Sequence, residues 1–248
     1  MKQLLTKWIL WGLTILFPLA LYAQNETKHK VGIALSGGGA LGYAHIGVLD
    51  ALEDYGIEPT IVSGTSMGAI VGVLYAAGYH PEDILKLISD HKMTHKSKIM
   101  SLDIKSSELG IFSKKYIASF LEKTLPTNSF DSLPKPFYCA VTNLMTTKGE
   151  IIGSGDRLQE YTLASMAIPV LFQSMVIDSM VYIDGGVTNN LPASVIRDKC
   201  DILIAVDVNP YTEIKSINNI KEAVMRTMTT LVMNTSVEGR ACSDYIVD

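Results

Sequence analysis

The sequence predicts one α/β domain, a three-layer α/β/α arrangement around a mostly parallel central sheet, and three observations carry this. Short apolar runs with strand character alternate with longer segments of helical period, the pattern of a sheet covered on both faces. Two of the runs end in glycine-rich turns that open directly into helices. The chain has 248 residues, 48% of them hydrophobic, which is enough for one sizeable core. No internal repeat or low-complexity segment interrupts it.

Strands are expected near 31–35, 60–63, 137–142, 149–153, 175–183 and 202–207, and helices near 42–55, 67–77, 81–90, 114–123, 157–167, 192–198 and 218–239. Gly78 stops one helix and Pro81 with Glu82-Asp83 starts the next. The 149–153 run pairs with 137–142 across Thr146-Thr147-Lys148-Gly149, and Asp178-Ser179 reads as a hairpin turn inside 175–183. Asp207 ends the strand that begins at Ile202. The final Asp244-Tyr245-Ile246-Val247-Asp248 reads as the opening of another strand.

The first glycine turn, Ser36-Gly37-Gly38-Gly39-Ala40-Leu41-Gly42, follows the run Val31 to Leu35. Consecutive glycines leave backbone N–H groups unshielded, and the helix starting near Gly42 adds the positive end of its dipole, so the loop can hold an oxyanion. Gly37-x-Gly39-x-x-Gly42 is also a dinucleotide fingerprint, which fits poorly: the next strand ends in Ser63-Gly64, with no acidic residue at its tip. There is no Gly-Lys-Ser/Thr of a Walker-type phosphate loop. The second turn, Gly64-Thr65-Ser66-Met67-Gly68, lies between Pro59-Thr60-Ile61-Val62-Ser63 and the helical run Ala69 to Ala77. A serine there is pushed out of the sheet on a sharp strand-to-helix turn, the form of a nucleophile elbow.

A serine nucleophile needs a base. Of the five histidines, His45 stands on the first turn of the helix after the glycine loop, a structural position. His29, His80, His91 and His95 lie outside any catalytic pattern. Asp184 follows the alternating run Met180 to Ile183 and precedes Gly185-Gly186, so a carboxylate stands at a strand end and can take the serine proton directly. Asp-Gly is also a common turn pair, and Asp178 and Asp207 compete for the role.

Together these motifs resemble the patatin-like phospholipases. The resemblance extends over His45-Ile46-Gly47-Val48-Leu49, Phe130-Asp131-Ser132-Leu133-Pro134-Lys135-Pro136-Phe137, Ala164-Ser165-Met166-Ala167-Ile168-Pro169 and Asn189-Asn190-Leu191-Pro192, covering residues 31 to 210. It implies the patatin-like fold and an acyl hydrolase with a Ser66–Asp184 dyad and an acyl-serine intermediate. The glycine loop, with Gly37, Gly38, Gly39 and Ala40 as backbone donors, would be its oxyanion hole. Phospholipid or another acyl ester would be the substrate. One departure is Leu41, where the family usually carries Arg or Lys. A Ser–His acyltransferase or thioesterase is the enzymatic alternative, and a silent lipid-binding passenger domain the non-enzymatic one. In exported relatives a translocation barrel can follow the hydrolase domain.

Residues 1–23 hold two lysines, no acids and an apolar stretch from Trp8 to Tyr22. This core of about 15 residues is shorter than the roughly 20 of a spanning helix, so it reads as a cleaved signal peptide. Residues 24–248 then form the exported domain, in the periplasm, at the outer membrane or secreted. A net charge of −4 without a basic stripe gives no support for a nucleic-acid partner. No His/Asp/Glu cluster has metal-ligand spacing, and no cofactor is expected. Lysines between 91 and 115 alternate with apolar residues, either a solvated connector or a lid or membrane-facing rim that touches anionic lipid head groups. Cys139 belongs to an apolar run, and with Cys200 and Cys242 it allows at most one internal disulfide.

Overall fold

A computed structural model describes residues 29–90 and 115–248. The expected leader, and the segment 91–115 up to residue 114, lie outside the described residues. In chain order the elements are β1 (Val31–Leu35), α1 (Tyr43–Asp54), β2 (Ile61–Gly64), α2 (Met67–Ala76), α3 (Pro81–Asp90), α4 (Lys115–Thr124), β3 (Phe137–Asn143) and β4 (Lys148–Ile152). There follow α5 (Leu158–Ser165), β5 (Met175–Ile177), β6 (Met180–Asp184), β7 (Ile202–Val206), α6 (Ile220–Thr235), α7 (Val237–Cys242) and β8 (Tyr245–Val247).

The sheet runs β5-β6-β3-β2-β1-β7-β8, with β4 also on β3. Its centre is parallel, β3-β2-β1-β7-β8, and β4, β5 and β6 add antiparallel pairs. The expected pairing of β4 with β3, the hairpin at Asp178-Ser179 and the last strand are all present. Both hairpin residues have positive φ, 48° and 65°, as a two-residue turn of that hand requires.

The register of β3 brings two distant strand ends together. β4 occupies one edge of β3 along Cys139–Asn143, so β2 and β6 share the other edge. β2 is parallel to β3 and ends with Gly64 opposite Cys139, whereas β6 is antiparallel and ends with Asp184 opposite Val141. The two C-terminal ends therefore face each other across Ala140, and the residues that follow them emerge at one place.

Alternation along β1 feeds two cores. Val31, Ile33 and Leu35 join the large cluster with α2, whose ten residues are all buried. Ala34 faces a smaller cluster with Leu191, Ala193, Ile196 and Leu203. The sequence places a helix at 192–198 over this second face, and the structure corrects it. Ile196 N–H donates to Ala193 O and Lys199 N–H to Ile196 O, a three-residue winding that ends in a 3-10 turn at Arg197–Lys199. The winding lays Ala193 and Ile196 flat on the sheet. The helix expected over 218–239 is divided at Ser236, whose hydroxyl bonds back to Val232 O at 3.1 Å and accepts from Asn190 Nδ2 at 3.0 Å. Helix α1 begins at Tyr43 after a 3-10 turn at Gly39–Gly42.

Candidate active site

Ser66 sits between β2 and α2 with φ 54° and ψ −122°, a conformation that costs a non-glycine residue about 1–3 kcal/mol. The flanking glycines are required by close approach. A Cβ on Gly64 would stand 2.4 Å from Gly68 O, and one on Gly68 would stand 2.3 Å from Leu35 O. The strained peptide is held from several sides. Thr65 N–H donates to Leu35 O (3.1 Å), the Thr65 hydroxyl to Asn189 O (2.9 Å), and Ser66 N–H to Ser165 Oγ (2.9 Å).

Asp184, only 5% exposed, ends β6 opposite this elbow, and its Oδ1 accepts from Gly186 N–H at 2.7 Å. Its backbone N–H donates to Ala167 O at 3.0 Å. Burial raises its pKa to about 7, with smaller opposing contributions from the Gly186 N–H and the Ser66 hydroxyl. A carboxylate held near neutrality beside a strained serine is suited to exchanging a proton with it.

Ser66, Asp184, Gly37, Gly38 and Gly39 all line one cleft of about 420 Å³. Its remaining walls are mostly apolar: Leu41, the Ile168-Pro169 turn and Leu171, and Met225, Met228 and Val232 of α6. The four predicted loop donors are not equivalent. Gly37 N–H already donates to Asn190 O (3.1 Å), and Ala40 is exposed and lies off the cleft lining. Gly38 and Gly39 remain facing the cavity, Gly39 with φ 55°, a left-handed conformation suited to glycine.

The described rival groups lie elsewhere. His45 is buried under the glycine loop with Nε2 2.8 Å from Ser36 O, and burial lowers its pKa to about 4. His80 pairs with Glu53 (3.1 Å), and His29 stands 4.0 Å from Asp201. His91 and His95 lie outside the described residues. Asp178 pairs with Arg157 on the hairpin (2.6 Å), and Asp207 with Arg240 (3.2 Å). All three cysteines are free thiols. Cys139 is in the core, where burial raises its pKa to about 12.

Sequence reasoning missed Asn190, Asn209 and Ser165. The first two bracket the glycine loop: Asn209 Nδ2 donates to Gly37 O at 2.7 Å, while the backbone carbonyl of Asn190 accepts from Gly37 N–H and its side-chain Nδ2 donates to Ser236 Oγ. Asn190 falls within the motif Asn189-Asn190-Leu191-Pro192 and Ser165 within Ala164 to Pro169, so the signal was there, but only as resemblance.

An uncharacterised NTE family protein of Mycobacterium tuberculosis (strain H37Rv) is 33% identical over 193 residues, 77% of this chain and 52% of that protein. The lysophospholipase NTE1 of Kluyveromyces lactis is 33% identical over 192 residues, 75% of this chain and 13% of that enzyme. The chain thus spans about half the length of the mycobacterial relative. The crystal structure of VipD from Legionella pneumophila shares the fold, with a TM-score of 0.56 at 19% identity over 85% of this chain and 56% of that one. The sequence model of the patatin-like phospholipases matches residues 33–196, a span that contains the glycine loop, the Ser66 elbow and Asp184, and the chain belongs to that family.

Proposed function

We propose that the chain is a lipid acyl hydrolase, a phospholipase A or esterase, that works through an acyl-Ser66 intermediate. The observation that carries this reading is a strained, elbow-borne serine facing a buried carboxylate whose pKa is raised to about 7, in a cleft with apolar walls. The family and the lysophospholipase named among its relatives support the same chemistry.

In the first half-reaction Asp184 takes the Ser66 proton as Oγ attacks the ester carbonyl carbon. The developing oxyanion accepts hydrogen bonds from Gly38 and Gly39 N–H. The first turn of α2 adds the positive end of its dipole, since the leading N–H groups of a helix have no intrahelical partner. The tetrahedral intermediate collapses by breaking its bond to the alcohol, which leaves with the proton from Asp184. In the second half-reaction Asp184 deprotonates water as it attacks the acyl carbon, and the intermediate collapses by breaking its bond to Ser66 Oγ, which takes the proton back from Asp184 as the carboxylic acid leaves. Leu41 in place of a basic residue leaves these backbone donors intact and extends the apolar wall. The buried position and low pKa of His45 give a His45-dependent alternative no support.

The test is labelling by a fluorophosphonate probe with peptide mapping. The label should fall on Ser66, and ester hydrolysis should stop in proportion. Hydrolysis that continues in fully labelled protein, or a label on another residue, would remove Ser66 from the mechanism. We further propose that residues 1–23 direct export and are cleaved. An intact leader on exported protein, read by mass spectrometry, would contradict that.

A further inference from the structure

We propose that the apolar rim around the cleft mouth is a bilayer-docking face that binds by hydrocarbon contact rather than by charge. The proposal rests on the reading of the substrate as a lipid. Beside the cleft lies a second groove of about 380 Å³, between the Ile168–Leu171 turn and α6. It shares Ile168, Pro169, Leu171, Met225 and Met228 with the cleft, and its lining is entirely apolar. Its lip is open: Ile220 is 84% and Val170 58% exposed. Val170 also has φ 71°, and a β-branched residue in the left-handed region is an outlier that persists only where surrounding structure enforces it.

The connection from β7 to α6 continues this rim. Pro210 and Thr212 line the cleft at one end and Ile220 lines the groove at the other. Between them Tyr211, Ile214 and Ile217, three residues apart, are 68%, 48% and 51% exposed. Leu41 stands exposed on the cleft itself. Exposed apolar surface of this kind, continuous with a binding cleft, marks an interaction face. Asp207 at the start of the connection is paired with Arg240, and its other two charges, Glu213 and Lys215, cancel. A protein partner on this face would cover the route to Ser66, whereas a bilayer on it would deliver acyl chains to the cleft. The occupant that fits is therefore the interface of a zwitterionic lipid membrane.

The experiment is co-sedimentation of the Ser66→Ala protein with phosphatidylcholine vesicles, with and without Tyr211→Ser, Ile214→Ser and Ile217→Ser together. The triple change should lower partitioning at least about tenfold, and partitioning of the parent should not change between about 0.05 and 0.5 M salt. On the Ser66 background the triple variant should hydrolyse a soluble short-chain ester at the parental rate, with an unchanged melting temperature. Equal vesicle binding by both proteins, no binding by the parent, or binding abolished by salt would overturn the proposal. So would a lipid-free parent that sediments as a dimer and a triple variant that sediments as a monomer, which would assign the face to a second copy. Lost vesicle binding in the variant, with no esterase activity in either protein, would uphold the face and overturn the hydrolase reading instead.

A separate observation assigns Ser165 as a positioning residue. Its buried hydroxyl donates to Ala140 O (2.7 Å) and accepts from Ser66 N–H (2.9 Å), while two residues on Ala167 O accepts from Asp184 N–H (3.0 Å). One turn at the end of α5 therefore sets the backbone on both sides of the dyad. Ser165→Ala should lower kcat on a soluble ester about 10- to 100-fold with KM within twofold, and slow fluorophosphonate labelling of Ser66 in parallel. Ser165→Thr, which keeps the hydroxyl, should recover part of both rates. A lower melting temperature with unchanged kcat and labelling would make Ser165 structural only. So would a well-folded Ser165→Thr no faster than Ser165→Ala.

Discussion

The wall of the cleft that carries Ser66 is fixed by backbone, whereas the wall made by α6 is formed by side chains. In the first, all ten residues of α2 are buried, and Gly64 and Gly68 touch main-chain atoms at distances that admit no Cβ. In the second, no described side chain of α6 is fully buried. On the proposed hydrolase reading, the difference follows from what each wall would do. Proton transfer and oxyanion binding need reacting atoms held within a fraction of an ångström, and a backbone cradle supplies that. Acyl chains are held by apolar area without direction, so half-exposed methionines suffice.

The comparison breaks first at the dyad. Ser66→Ala and Asp184→Asn should each lower ester hydrolysis by about 10⁴-fold, because groups that act as a unit fail as a unit. Asp184→Asn separates chemistry from stability. The folded-state pKa of Asp184 lies above the unfolded value of 3.8, so its contribution to stability is full below that value and is lost as pH rises through about 7. At pH 8 the Asn variant should therefore melt no lower than wild type, while being nearly inactive. An Asp184→Asn protein with more than a tenth of wild-type turnover would remove the carboxylate from the mechanism.

The second break is in pH. If Asp184 must be ionised to accept the Ser66 proton, kcat/KM falls about tenfold per unit below pH 7, roughly 100-fold by pH 5. His45, lowered to about 4, adds no second limb in that range. A profile flat from pH 8 to pH 5 would show that the base is another group.

The two walls also differ in how far the sequence announces them. Gly64, Ser66, Gly68 and Asp184-Gly185-Gly186 are local signals, since each residue type is dictated by its own turn, and Ser66 and Asp184 were both named from them. That the two turns meet was not local. It depends on β2 and β6 sharing one edge of β3, a register that no single motif encodes. Gly37 illustrates the same limit: its N–H looked free in sequence and is engaged by Asn190, 153 residues away. The helix expected at 192–198 failed because a sheet surface and three-residue bonding overrode a short helical pattern. The α6 wall left almost no trace, because apolar residues at helical spacing look the same whether they face a core or a cleft.

A milder challenge falls on the backbone-built wall. Gly68→Ala places a Cβ against Leu35 O, so it should destabilise the protein by about 1–3 kcal/mol and lower the melting temperature by several degrees. Activity per folded molecule should fall as well, because the elbow must shift. A Gly68→Ala protein as stable and as active as wild type would mean that the elbow is not closely packed on β1.

The smallest effect should come from the opposite wall. Met228 is half-buried, lies where the cleft and the second groove meet, and belongs to a helix with no fully buried described side chain. Met228→Ala removes apolar area from substrate contact without emptying a core, so thermal stability should change little. Losing about 1 kcal/mol of acyl contact would lower kcat/KM on a long-chain ester up to about fivefold and leave an acetyl ester untouched. The measurement is the ratio of the two kcat/KM values in wild type and variant. A ratio unchanged by Met228→Ala would place the acyl chain elsewhere in the cleft. An equal loss on both esters would mean that α6 also helps to position the dyad, and the contrast between the two walls would then fail.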